Sequence, residues 1–225
     1  MKIIDASGRI YEGMWGYGPP FPDFKLSNIE LPAWVDYKSH AQSFEGFHIL
    51  TGTYLVMPSH GLGLDASYAV HDVDIARLYN ISAFILKFDL DKLSREGPNP
   101  YISLEDIEAA EKKEIPEGSA IILATGWGSH WGKSDYLKNC WYIRKDAYEY
   151  LISKKPFLIG MDTPSMDNLN NAQGLSKTFY NLNIILVAPL VNVEKIQNFK
   201  VKLSVCPLNV MNTTGAPCRV IIIED

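Results

Sequence analysis

Two hydrophobic periodicities divide this chain. From Arg144 to Lys154, Ala147, Tyr150 and Leu151 recur at three- and four-residue spacing, which predicts a helix. Ser103 with Asp106 three residues later has the form of a capping box, and the helix formers that follow predict another helix before Ile115-Pro116. Short unbroken apolar runs at Ala120–Ala124, Phe157–Gly160, Ile184–Val187, Val201–Val205 and Val220–Ile223 read as buried strands. In the first hundred residues, the apolar runs Phe47–Met57 and Ala83–Leu90 lie among Gly, Pro and aromatic residues, which favours strands and ordered loops. Helices interleaved with buried strands predict an α/β (α+β) domain with a mixed sheet. There is no internal repeat, linker or low-complexity tract, so the pattern predicts one domain over residues 1–225.

Composition narrows the class. A chain of 225 residues with 47% hydrophobic and 21% charged residues has enough apolar material for a full core. A net charge of −5 argues against nucleic acid or an anionic membrane as partner. The start lacks the apolar stretch of a secretory signal, and the longest apolar run is interrupted by Pro189, so no membrane span is expected. Cys140, Cys206 and Cys218 are odd in number and widely spaced, which suits reduced thiols in the cytoplasm. Neither Gly61-Leu-Gly63 nor the glycines at 13, 16 and 18 sit in the strand–turn–helix context of a dinucleotide site, and no G-x-S-x-G elbow is present.

The stretch Leu50 to His60, LTGTYLVMPSH, is where chemistry is expected. If residues 48 to 57 are extended, His48, Leu50, Gly52, Tyr54 and Val56 share one face, Pro58 ends the pairing, and His60 follows at the strand's end. Thr51-Gly52-Thr53, Pro58 and His60 stand in register with a strand motif of the form H-x-G-T-H-x-D-x-P-x-H. Further along come Thr125-Gly126-Trp127 with Trp131, the run Gly160 to Asp167 of the form G-x-D-x-P-S-x-D, Cys206-Pro207-Leu208, and Thr214 to Arg219. In these motifs and their order the sequence resembles the cyclase family of kynurenine formamidase- and isatin hydrolase-like metal-dependent hydrolases. The resemblance covers most of the chain. It implies a swivelling β/β/α fold, usually in homo-oligomers, around a divalent metal that activates water against small cyclic or aryl amides and lactones.

The centre of that chemistry is altered here. The resemblance places the family's His, His and Asp strand ligands at Leu50, Tyr54 and Val56, and its later His and Glu at Ser176 and Ala188. Leu, Val and Ala offer no lone pair, and Ser or neutral Tyr are poor ligands for Zn²⁺ or Mn²⁺, so no metal and no other cofactor is expected. His60 matches the family's non-ligand histidine and is the candidate general acid/base. Tyr54 either donates a hydrogen bond or proton to substrate or plugs the former cavity. Trp15, Tyr17, Phe21, His48, Trp127 and Trp131 are candidate walls of a pocket for a flat small molecule. Two functions follow: a metal-independent enzyme acting on a small cyclic or aromatic substrate by hydrolysis, cyclisation or dehydration, or a catalytically silent binding protein or partner subunit.

Overall fold

A computed structural model describes residues 1–35 and 40–224. The chain opens with β1 (Lys2–Asp5), the hairpin strands β2 (Lys25–Ile29) and β3 (Ala41–Glu45), and the short strand β4 (Tyr54–Val56). The one-turn helix α1 (Ser59–Leu62) precedes β5 (Ile81–Lys87), β6 (Arg95–Glu96) and β7 (Asn99–Ile102). Helix α2 (Leu104–Ala110) leads to β8 (Ala120–Ala124) and β9 (Tyr142–Ile143), then α3 (Lys145–Ser153) and β10 (Leu158–Met161). Helix α4 (Leu175–Phe179), β11 (Ile185–Ala188), β12 (Lys200–Pro207) and β13 (Gly215–Glu224) complete the order.

The main sheet is mixed and closes on itself. Strands run in the order β1-β13-β12-β5-β8-β10-β11-β4, and β13 also pairs with β4. β5, β8, β10 and β11 are parallel to their neighbours in that central run, joined by crossovers that carry α2, α3 and α4. β12, β13, β1 and β4 are antiparallel additions. Along one edge β13 meets β4 through Gly215–Pro217 and β1 through Ile221–Glu224. Closure leaves few open edges for unwanted pairing.

Strands buried on both faces explain the unbroken apolar runs. Leu55, Ile85, Ile122, Val187, Val205 and Val220 pack together inside the ring. The alternate residues Tyr54, Val56, Leu86, Ile121, Ile159, Leu186 and Ala188 face outward into a second core, covered by Ile107, Ala147 and Leu151 of the helices and by Trp127, Trp131, Tyr136 and Trp141. Ser103 caps α2 as the sequence predicts: its hydroxyl accepts from Asp106 N at 3.2 Å while the Asp106 carboxylate accepts from Ser103 N at 2.9 Å. No helix among the described residues is long and apolar enough to cross a membrane.

The expected strand over residues 48–57 is shorter than its sequence suggests. Thr51 N donates to His48 O at 3.0 Å and Gly52 has φ +72°, so His48 to Gly52 form a turn and only Tyr54–Val56 is extended. The two-residue parity therefore links Tyr54 with Val56 but not with His48 or Leu50. Packing explains the turn. A Cβ on Gly52 would lie 2.7 Å from the Ile10 side chain, and Thr53 Oγ1 ties the N-terminal segment down by accepting from Gly8 N and donating to Pro189 O. His60 likewise sits on α1 rather than at a strand mouth.

Candidate functional site

The outward face of β4 carries the positions where ligands are expected, and a polar plug fills it. Tyr54 is 3% exposed and its hydroxyl meets that of Tyr17. Tyr17 uses its proton on the Pro164 carbonyl at 2.7 Å, so the Tyr54 hydroxyl is the donor in the tyrosine pair. Both phenolic protons are thereby committed. Burial, together with the neighbouring Tyr54, pushes the Tyr17 phenol well above its usual range, and burial raises Tyr54 as well. Val56 and Ala188 are buried in the same core, Leu50 packs against it, and Ser176 is exposed on α4. These five side chains do not fit a divalent metal: three are aliphatic, one is a hydrogen-bonded neutral phenol, and one points to solvent. Among the described residues no group of three or more His, Cys, Asp or Glu is placed to hold a metal ion.

In front of the plug lies a vestibule of about 150 Å³ lined by Met14, Trp15, Tyr17, Phe21, His48 and Leu50, among others. Its walls are aromatic and mutually braced. Trp15 stands edge-on to Tyr17 at 5.4 Å, and the Phe21 ring lies 5.1 Å from the His48 ring at 31°. His48 Nδ1 accepts from Leu50 N at 3.3 Å, which places the ring proton of neutral His48 on Nε2. Desolvation lowers the His48 pKa and favours that neutral form. The indole Nε1 of Trp15 is buried and has no hydrogen-bond partner among the described residues. The vestibule thus has the His48 ring as an N–H donor on a wall of mixed polarity that also carries Asp23, while Trp15 Nε1 is buried behind the surface.

Four of the candidate residues named from sequence, Trp15, Tyr17, Phe21 and His48, meet at this vestibule, with Tyr54 behind Tyr17. Trp127 and Trp131 stand elsewhere. Both are buried, and their indole N–H groups go to the carbonyls of Tyr136 and Arg9 at 3.2 and 2.9 Å. Trp131 supports the back of Trp15 at 5.4 Å and does not line the vestibule. His60 is also apart. It is exposed, its Nδ1 lies 3.1 Å from Thr214 Oγ1, and its ring meets Tyr180 edge-on at 5.6 Å. Desolvation lowers its pKa. Beside it the Ser59 hydroxyl is buried with no hydrogen-bond partner among the described residues.

Tyr180 and Tyr136 buttress candidate residues without lining the vestibule, and sequence reasoning misses them. Tyr180 abuts His60 and helps raise Tyr54, and a Cβ on Gly61 would lie 2.4 Å from its ring. Tyr136 packs 5.1 Å from Trp15. Neither belongs to a periodic run, so only the tertiary fold brings them in.

The run from Gly160 to Asp167 supports the site from behind. Asp162, fully buried, accepts from Thr125 N, Gly126 N and Trp127 N at 2.9, 2.6 and 3.1 Å, from Thr125 Oγ1 at 3.0 Å, and from Trp141 Nε1 at 2.9 Å. Burial pushes its carboxyl up to about 6, and these donors oppose that rise. Asp167 gathers the backbone N–H groups of Gln173, Gly174 and Leu175 at 2.8, 2.9 and 3.0 Å, fixing the entry to α4. Both carboxylates are consumed by turns.

A closed mixed sheet with a helix-covered outer face is shared with known hydrolases. The fold superposes on an isatin hydrolase bound to the product analogue thioisatinate with TM-score 0.83 and 18% identity, covering 100% of this chain and 93% of that one. Isatin hydrolase A from Ralstonia solanacearum aligns with TM-score 0.78 and 17% identity over 99% of this chain and 92% of that one. The family whose model is described as "Putative cyclase" matches residues 9–168, and the chain belongs to this cyclase family. Kynurenine formamidases of Bacillus anthracis and Bacillus cereus are each 27% identical over 139 residues. That match takes in 60% of this chain and 66% of each relative, just under two thirds of the relatives' length.

Proposed function

We propose that this chain is a metal-independent cyclase-family protein that binds a small single-ring ligand in the vestibule and has given up metal-dependent hydrolysis. The observation that carries this reading is the Tyr54–Tyr17–Pro164 chain, which occupies the face where a metal and its water would stand. Leu50, Val56 and Ala188 complete an apolar floor. What remains open is about 150 Å³, the size of a cavity that holds benzene and well below the roughly 300–1,000 Å³ of drug-sized sites. A flat ring bearing a carbonyl or similar acceptor matches the aromatic walls and the donor at His48 Nε2. Homo-oligomeric assembly, a small-molecule partner and a cytoplasmic setting belong to the same proposal.

A second reading keeps catalysis. His60, whose protonation desolvation disfavours, is set against Thr214 and Tyr180 beside the Ser59 hydroxyl, which has no partner among the described residues, and is the candidate general base. Titration with benzamide, read by tryptophan fluorescence, separates the two. The binding reading expects saturable quenching that His48→Ala or Leu50→Trp abolishes, no response to the bicyclic isatin, and no cleavage of formanilide with or without added Zn²⁺ or Mn²⁺. Turnover of formanilide that His60→Gln removes would establish the second reading. Metal-stimulated turnover would overturn both.

A further inference from the structure

The segment that leaves β1 and the loop that follows β11 border a cleft of about 1180 Å³, which shares no lining residue with the vestibule. Hydrogen bonds fix its walls. Ala6 N donates to Val220 O at 2.9 Å and Val191 N to Ala6 O at 3.0 Å. Gly8 N donates to Thr53 Oγ1 and Trp131 Nε1 to Arg9 O, both at 2.9 Å. Three cations line the cleft, Arg9, Lys195 and Arg219, against one carboxylate, Asp5. In a chain of net charge −5, that surplus of positive charge is a local reversal of sign. The donors of these cations are only partly used. Asp5 accepts from Nε and Nη2 of Arg219, and the remaining guanidinium N–H groups stay unclaimed. Lys195 Nζ donates to Asn192 Oδ1 at 2.7 Å and keeps further ammonium protons, while Asn192 is tied through Nδ2 to Asp5 O at 2.8 Å. The Arg9 side chain has no hydrogen-bond or ion-pair partner among the described residues.

We infer that this cleft is a second ligand site, suited to a phosphate monoester whose organic part lies on Ile10, Tyr11 and Val191. Charge selects the anion. A phosphate monoester carries about −1.5 to −2 near neutral pH, which matches three cations less one carboxylate, whereas a monocarboxylate would leave half of that surplus unmet. Chemistry agrees, because guanidinium forks pair with phosphate oxygens through parallel N–H···O bonds and the ammonium adds a point charge. Two of the three cations are braced before any ligand arrives, Arg219 by Asp5 and Lys195 by Asn192, so binding sacrifices less side-chain freedom. Arg9 is the one left to close on the anion, and its backbone is anchored through Gly8 N and its own carbonyl. Size favours an ester over the bare ion. The cleft has ample room by the standard of about 300–1,000 Å³ for small-molecule sites, and Ile10 and Tyr11 stand 37% and 41% exposed at its wall. The inference is independent of what the vestibule binds.

Isothermal titration calorimetry of the full chain with phenyl phosphate, at low ionic strength, tests the site. The expected result is saturable binding that weakens as salt is added, with benzoate and inorganic phosphate both binding less tightly. Arg9→Gln and Lys195→Gln each weaken phenyl phosphate binding about fivefold or more, the scale of one exposed charge pair. Both side chains are exposed, so the variants keep the fold, which far-UV circular dichroism checks. Lys113→Gln removes an exposed charge outside the cleft and leaves binding unchanged. Saturating benzamide does not displace phenyl phosphate, because the two sites are separate. Absence of saturable binding overturns the inference, as does a loss in the cleft variants no larger than that in Lys113→Gln. Displacement by benzamide would put the phenyl ring in the vestibule and overturn it equally. Inorganic phosphate binding as tightly as phenyl phosphate would leave a simple anion site and overturn the monoester assignment.

Discussion

Replacing Tyr17 and Tyr54 by Phe, singly and together, tests whether the plug is built as described. Tyr54→Phe removes only the bond that Tyr54 donates, because Tyr17 keeps its own bond to the Pro164 carbonyl. The expected cost is about 0.5–1.5 kcal/mol, that of one ordinary hydrogen bond. Tyr17→Phe does more. It strands the buried Tyr54 hydroxyl and the Pro164 carbonyl together, and at about 1–3 kcal/mol per orphaned buried group the loss is roughly 2–6 kcal/mol. In the Tyr17→Phe background, Tyr54→Phe deletes an orphan instead of breaking a bond, so the second change becomes neutral or stabilising. The cycle should close with a coupling of about 1 kcal/mol or more, beyond the ~0.3–0.5 kcal/mol scatter of independent sites. Urea unfolding at fixed pH measures each corner. Thermal midpoints should follow at about 2–4 °C per kcal/mol for a chain of this size. If both single variants match the wild type and the double is additive, the two phenols are not paired and the closed floor of the vestibule is refuted.

Asp162→Ala strips the acceptor from four N–H groups and one hydroxyl in the core, and should cost at least about 3 kcal/mol in urea unfolding; a loss under 1 kcal/mol would mean that the 125–127 turn is held by something else. Partial desolvation by neighbouring groups depresses His48 and the surface-exposed His60, so between the unfolded value near 6.5 and the lower folded values the unfolded chain binds more protons than the native one. Their contribution to stability is therefore complete above about pH 6.5 and lost as pH falls below it. A His48→Gln, His60→Gln double variant should flatten that limb of the stability–pH curve, and an unchanged slope would contradict the assignment. Tyr54→His with Val56→Asp places two ligand types in a dry core without a third donor or the outer hydrogen bonds that orient ligands, so elemental analysis after dialysis should find no stoichiometric Zn²⁺ or Mn²⁺. One equivalent of bound metal would show that the remaining ligands had been mislocated.

The parts of the fold legible in the sequence are those fixed by local chemistry. The run Ala120–Ala124 is β8 residue for residue, and the Ser103–Asp106 capping box begins α2 where the two side chains and backbone groups exchange hydrogen bonds. The resemblance to the cyclase family holds as well, because its motifs are turns whose residues bind their own neighbours, as Asp162 and Asp167 do. Site geometry was less accessible. Strand parity pointed to one face for His48, Leu50, Tyr54 and Val56, but the turn at Thr51–Gly52 depends on packing against Ile10, more than forty residues earlier. His48 and Tyr17 still meet at the vestibule because the long loop before β2 folds back over β4, and nothing in the spacing of Trp15, Tyr17 and Phe21 announces that return.

Closure of the ring through β13 has a kinetic consequence. Tyr54 pairs with Pro217 and Lys2 with Glu224, so the contacts that complete the sheet join residues separated by most of the chain's length. Such contacts incur the full loop-closure entropy before they return any stabilisation, and topologies dominated by them fold in milliseconds to seconds rather than microseconds. Until β13 arrives, β4 and β12 present open edges beside apolar residues destined for the interior. The protein's exposure to aggregation is therefore set by how long the ring stays open, and substitutions along Gly215–Pro217 that slow its closing should lower soluble yield even where they leave the finished structure as stable as before.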